Sequence, residues 1–255
     1  MKYLTTVISL PPGVAPRPTL HTVLELIFEQ YRWFRPERYG LAKLDERLVP
    51  GRIDYAALLA LYERLASITI AARTDRDFLR ITVTRPGDHP HAGNISWMTS
   101  MRTAASPGWR AAHSKQVAEL MRLMQAPMAA AGPADDFESK QSRWVPHPDG
   151  LGEALTFTVR DPSEGLAGLF WRNFFGPPFV HLFGERLDTL PAELKQDLGD
   201  GVILVQPYEL PTQAGTPEAL SQEQQLIAHL GSDCFYDHPH HRKPTRLPQL
   251  PSPPP

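Results

Sequence analysis

The sequence predicts an α+β fold: an antiparallel or mixed sheet flanked by several helices in a single compact domain. Three observations carry that prediction. Helix-like and strand-like segments succeed one another along 255 residues without a repeat of about 20 to 50 residues, which excludes a solenoid. Three consecutive runs rich in β-branched residues, "SITIAAR", "DFLRITVTR" and "GNISWMTSM", alternate as an antiparallel meander does. The composition, 42% hydrophobic and 21% charged, suits a chain that buries a large core.

Tyr3–Leu10 alternates and reads as the first strand. A loop from Pro11 to Pro18 follows. Thr19 is the expected N-cap of a helix running to Phe34, because Leu20, Leu24, Ile27, Tyr31 and Phe34 share one face. Pro36 ends it. "RYGLAKLDERLVPGRID" is a connector that turns at Pro50-Gly51. Asp54 caps a second helix, Tyr55 to Leu65, with Leu58, Leu59, Tyr62 and Leu65 inward. The meander comes next, its first turn at Thr74-Asp75-Arg76.

Trp109 to Met124 is a third helix, with His113, Val117, Leu120, Met121 and Met124 on one side. Residues 126–152 are rich in Pro, Gly and Asp and show no period, so they read as a long loop or an internal boundary. "ALTFTVRD" is a strand. A helix is expected from Glu164 to Phe175, stopped by Gly176 and Pro177-Pro178. "PFVHLFG" is a helical turn, and "LPAELKQDLGDG" a short helix with an Asp-Gly turn. "VILVQPYEL" is an apolar strand. Thr216-Pro217-Glu218 starts a last helix that Gly231 terminates after Leu230. The domain is expected to span 1–237, with 238–255 a proline-rich tail.

Composition narrows the function classes. Net charge is −2, with both signs interleaved, and shows no clustered basic excess for nucleic acid. The N-terminal apolar run is short and ends in "PPG", unlike a signal peptide. No stretch of about 18 apolar residues predicts a membrane span. One cysteine, Cys234, excludes an internal disulfide and fits a reducing cytoplasm.

Candidate chemistry is sparse. "DHPH" occurs at Asp88–His91 and again at Asp237–His240, followed by His241. Imidazoles with carboxylates can hold a metal, but the spacing matches no zinc pattern and Asp-Pro sequences favour turns, so no metal is assigned. Cys234 has His229 and His238 near it in sequence; a buried small residue is the plainer reading. Arg73, Asp75, Arg76 and Asp77 read as ion pairs at a hairpin. Nucleophile elbows, phosphate loops and dinucleotide fingerprints are absent from the sequence, and no cofactor is expected.

The unusual segment is "GLFWRNFFGPPFVHLFG", Gly168–Gly184. Arg172, Asn173 and the paired prolines disfavour a membrane role, and the segment reads mainly as a structural corner. With "LGDGVILVQPYELPT" and "LIAHLGSDCFYD", it resembles the C-terminal half of bacterial immunity proteins of type VI secretion and polymorphic toxin systems, immunity-52-like proteins above all. In these a W-x-x-x-(F/L)-G-x-P signature precedes a glycine turn, an apolar strand and a final helix. Trp171, Phe175, Gly176 and Pro178 fill that signature, and the resemblance covers roughly residues 150 to 237.

The resemblance implies a cytoplasmic protein that binds a cognate secreted toxin and occludes its active site, with no enzymatic activity of its own. Such immunity proteins are often paired with nucleases. An inhibitor of a basic substrate groove presents acidic residues, for which Asp135, Asp136, Glu138, Asp197 and Asp200 are the candidates. Two other classes remain open: an enzyme using the "DHPH" turns or the Arg73–Asp77 set, and a scaffold component of a secretion apparatus. Oligomeric state is not predicted.

Overall fold

Tyr3–Ser9 forms strand β1, with Leu4, Thr6 and Ile8 buried on one face. The period-two pattern is what a strand needs to present one side to a packed layer. The computed structural model of the chain describes residues 3–73, 77–83, 89–147 and 149–252. The Thr74-Asp75-Arg76 turn and Asp88 lie outside the described residues.

The remaining strands are β2 Arg38–Gly40, β3 Glu46–Arg47, β4 Ser67–Ala71, β5 Phe78–Thr82, β6 Asn94–Ser100, β7 Met128–Pro133, β8 Ser142–Pro146, β9 Glu153–Phe157, β10 Arg172–Phe175, β11 Lys195–Asp197 and β12 Ile203–Val205. The helices are α1 Arg17–Glu25, α2 Tyr55–Leu65, α3 Met101–Ala104, α4 Pro107–Met124, α5 Ala134–Gln141, α6 Pro177–Phe183, α7 Glu185–Asp188 and α8 Pro217–Leu230. Among the described residues, ten strands form one sheet in the order β11-β12-β10-β7-β1-β6-β5-β4-β2-β3, every neighbouring pair antiparallel. β8 and β9 pair separately as a hairpin. The molecule is thus α+β, as the alternation of segments predicts, and the β4–β5–β6 meander is as expected.

One face of the sheet is covered by α1, α2 and α4. Ile8, Leu24, Ile27, Leu58, Tyr62, Val117, Met121 and Phe174 meet there in the largest apolar cluster. On the other face Phe137 of α5 and Phe170 stack at 4.0 Å over Ala130. Beyond β10, Phe175, Phe179, Phe183, Leu226 and Leu230 make a second apolar centre under α6 and α8.

Several elements differ from expectation. Thr19 is not the cap of α1: the helix begins at Arg17 behind Pro16, with Pro18 in its first turn, where a fixed proline φ is already helical. It does not reach Phe34. A π-turn over Leu26–Gln30 widens it, and Arg32 reverses the chain at φ 52°. The 38–54 connector contributes β2 and β3.

Residues 126–152 are not a loop. They hold β7, α5, β8 and the β8–β9 turn, and β7 pairs with β1 on one side and β10 on the other. Alanine is a poor strand former on its surface statistics. Here Ala129, Ala130 and Ala131 are small because Phe174, Phe170 and Trp171 crowd both faces of β7.

The helix expected over Glu164–Phe175 is instead a single 3₁₀ turn at Pro162–Glu164, an extended run, and then β10. All of 165–176 is buried. A strand covered on both faces loses its alternation and cannot be told from a buried helix by period. In "LPAELKQDLGDG" a turn and β11 replace the short helix while the Asp-Gly turn is present, and the apolar strand after it is shorter than expected, Ile203–Val205. α2 and α8 match: Asp54 accepts from Ala57 N, and Thr216 accepts from Ala219 N.

Candidate functional site

The acidic residues do not gather. Asp135 and Asp136 open α5 at the Pro133 end of β7, and Glu138 lies one position beyond the first turn. Asp197 and Asp200 belong to the β11–β12 hairpin, which runs beside Phe175 and so lies at the Met128 end of β7. The two groups are separated along the strand by roughly 17 Å, five steps of about 3.3 Å. Asp136 is also no surface group. Its carboxylate is 2.8 Å from Lys140 Nζ and only 8% exposed. Asp200 pairs with Arg122 at 3.0 Å, and Asp197 accepts from Gly199 N within its own turn.

Lys140 is the centre of that interior cluster. Its ammonium donates to Asp136, to Glu223 at 2.8 Å and to Leu169 O at 2.6 Å, and lies 5.2 Å from the Phe170 ring centre. Tyr208 donates to the other oxygen of Glu223. Burial raises the pKa of both carboxyls, with Lys140 opposing the shift.

The Trp171, Phe175, Gly176 and Pro178 set forms a strand-to-helix corner. Trp171 and Phe175 are fully buried, and the Trp171 indole donates to Glu209 O at 3.1 Å. A Cβ on Gly176 would stand 2.8 Å from Ala126 O and 2.9 Å from Pro127 O. Pro177 and Pro178 fill the first two positions of α6, where no N–H is needed.

Beneath the corner lies a buried polar centre. His113 of α4 is wholly enclosed between Thr6 Oγ1, 3.0 Å from Nε2, and the Arg172 guanidinium, 3.1 Å from Nδ1. A guanidinium only donates, so Nδ1 accepts and Nε2–H donates to Thr6. Burial, with Arg172 beside it, holds the imidazole pKa well below the ordinary value. Arg172 has neutral acceptors only: Gln206 Oε1 at 2.9 Å, Arg110 O at 2.8 Å and His113, with the Trp171 ring 4.2 Å away. Burial and neighbouring Arg110 pull its pKa down to about 10, so it stays charged at neutral pH.

Above His113 a cavity of about 290 Å³ opens to the surface. Its wall is a run of rings from separate segments. Tyr31 stacks on Trp33 at 5.9 Å, Trp33 on Trp97 at 4.1 Å, and Trp109 on His113 at 4.5 Å. The π-turn and the left-handed Arg32 swing Trp33 inward, where its indole donates to Gln116 at 2.8 Å. Non-glycine residues in that backbone region are uncommon and cluster at functional sites. Sequence reading missed this cavity because its tryptophans lie in three distant stretches with no shared spacing.

The β8–β9 hairpin is the other feature. In register, Trp144 faces Leu155 and Ser142 faces Phe157, so these side chains share one face. That face is the outer one: Trp144, Leu155 and Phe157 are 64%, 52% and 61% exposed. Leu151 at the turn is exposed as well. Thr158 anchors the base, donating to Gln141 O and Lys140 O. An arm with its apolar side turned to water inverts the usual pattern for a sheet on a core.

The histidine turns reach the same 160–167 corner without joining. Arg160 donates to His89 Nε2 at 2.7 Å, and His89 Nδ1 is 3.8 Å from Asp161. His238 donates from Nε2 to Ala167 O, while His240 pairs with Asp237. Among the described residues no three His, Cys, Asp or Glu side chains come together as a metal set. Burial raises the Cys234 thiol pKa. His229 bonds Thr189 and Arg186 O, so neither histidine near Cys234 in sequence is turned onto the thiol. No helix of the described residues is long and apolar enough to cross a membrane.

No family model matches the chain, and no curated protein matches it. Among solved structures it is similar to the Pseudomonas aeruginosa T6SS protein PA0821, at 13% identity and a TM-score of 0.55. The match covers 92% of this chain and 77% of that one, and at this identity it is a likeness of fold.

Proposed function

We propose that this protein is a binding module of a type VI secretion setting: an immunity protein that holds a cognate toxin and blocks its active site. It acts by occupancy, in the cytoplasm, with no turnover of its own. The observation that carries the binding reading is the β8–β9 arm, which turns Trp144, Leu155 and Phe157 outward on a base anchored to the body. Large aromatics exposed together are what partner surfaces use as anchors. The secretion setting is supported by the fold likeness to a T6SS protein over most of both chains.

The charge around the arm suits a basic partner. Asp135 and Glu138 are exposed on α5, which runs directly into β8, and Glu153 lies on the arm's outer face. A toxin whose groove binds nucleic acid has the complementary sign. Asp197 and Asp200, at the far end of β7, fall outside this surface.

Co-expression with the product of the neighbouring gene tests the reading. The neighbour alone should arrest growth, and this chain should restore growth and co-purify with it. A harmless neighbour, or one that kills in the presence of this chain, defeats the proposal. The double substitution Trp144→Ser, Phe157→Ser should abolish rescue while leaving the melting temperature unchanged.

A further inference from the structure

We propose that β9 is a strand-addition edge, on which the toxin lays one extended segment with apolar residues at alternate positions and a lysine or arginine opposite Glu153. The proposal rests on the binding reading and gives its mode: the two-stranded arm takes on a third strand. The register of the hairpin decides which backbone groups are free. His147 N donates to Gly152 O at 3.0 Å, and Thr158 N to Gln141 O at 2.9 Å. Between these two bonds, antiparallel alternation makes Val145–Ala154 and Arg143–Thr156 the hydrogen-bonded pairs. Glu153, Leu155 and Phe157 therefore turn N–H and C=O away from β8, and among the described residues no backbone partner meets them.

The two edges of the arm are not alike. On β8 the outward positions are Ser142, Trp144 and Pro146. The Ser142 N–H bonds Glu138 O, and Pro146 has no N–H, which leaves the Trp144 donor alone. β9 keeps three outward donors in a row. Proteins blunt exposed edges with proline or lysine to prevent pairing. β8 is blunted in this way and β9 is not.

Side chains define the strand that fits. Antiparallel addition sets the partner's residues directly beside Glu153, Leu155 and Phe157, on the face that carries Trp144. Apolar residues there cover Leu155 and Phe157, which are exposed. Glu153 is exposed and has no ion pair among the described residues, so a cation suits its position. Arg160, just past Phe157, is exposed and disfavours a cation at that end. An antiparallel segment thus runs from its apolar residues to its basic one.

The test uses the full chain and the peptide acetyl-Thr-Val-Thr-Val-Thr-Lys-Thr-amide, whose valines fall opposite Phe157 and Leu155 and whose lysine falls opposite Glu153. Amide resonances of Glu153, Leu155 and Phe157 should shift saturably on titration. N-methylation of the valines and the lysine removes the donors that face β9 and should weaken binding at least about tenfold; N-methylation of the two central threonines should not. Leu155→Pro blunts β9 as Pro146 blunts β8 and should weaken binding about tenfold, while Leu155→Thr keeps the N–H and most of the affinity. Glu153→Lys, at an exposed position, should weaken binding of the lysine peptide even if Leu155→Pro disturbs the hairpin. Absence of a saturable shift, or equal losses from both methylation patterns, overturns the proposal. So does a dimer in sedimentation that Leu155→Pro splits, since the edge would then belong to a second copy. No toxin enters these readouts, so their failure and failure of the immunity reading are separable.

Discussion

His113 links a single proton to the stability of the whole molecule. Its folded-state pKa lies below the ordinary histidine value, so as pH falls the unfolded chain takes up a proton before the folded one does. The stability held by neutral His113 is whole above about pH 6.5 and is lost below it, by up to about 1.4 kcal/mol per pH unit. Asp136 and Glu223 act in the opposite sense. Their pKa values are raised by burial, so their contribution declines as pH rises above the usual carboxyl range of about 4. Urea unfolding from pH 7 to 5 should show falling stability that His113→Gln flattens; parallel slopes would contradict this account. Gly176→Ala should cost about 1–3 kcal/mol in the same assay, because two backbone carbonyls occupy the space a methyl needs. At this scale the sequence shows Asp54 and Thr216 as caps, since capping is local. That Asp136 faces inward was hidden, because its burial depends on Glu223, Tyr208 and Phe170, all far along the chain.

Lys140 joins three elements at one ammonium: α5 through Asp136, α8 through Glu223, and the approach to β10 through Leu169 O. Lys140→Met leaves two buried carboxylates without a cation and should destabilise the protein by about 3–5 kcal/mol, read by thermal or urea unfolding. The arm should behave in the opposite way. Replacing 143–156 by a short glycine turn removes outward apolar surface and little core, so the melting temperature should hold while toxin protection disappears. A large fall in melting temperature would mean the arm packs against the body. Elements with local signals were legible: α2, α8, the meander and β9, whereas β8 lay inside the segment read as a long loop. β7 and β10 were not. One is made small and the other apolar throughout by neighbours on both faces, and that crowding is a tertiary fact.

Across the whole molecule, the sheet runs from β11 to β3 through β7 and β1, so its C-terminal strands and its N-terminal strands share one set of ladders. A fragment ending at residue 125 keeps α1, α2, α4 and the meander but leaves β1 with no partner on the β7 side. That fragment should lack a cooperative unfolding transition, whereas the full chain should show one; two separate transitions in the full chain would place a domain boundary inside 126–152. The α+β class was readable from segment order alone. The aromatic cavity was not, because it exists only where the 31–34 turn, the end of β6 and α4 meet.

The place of β1 has a consequence for synthesis. Among the described strands it is the first to be made and nearly the central one in the sheet. β6 can close one side once residue 100 is out, but the other side waits for Met128–Pro133. At about 5–20 residues per second, that edge stands open for several seconds in every nascent chain. During that interval it offers unpaired backbone to any extended neighbour. Faster translation across 101–133, or a chaperone that shields the edge, should therefore raise the yield of folded protein more than any change after β10.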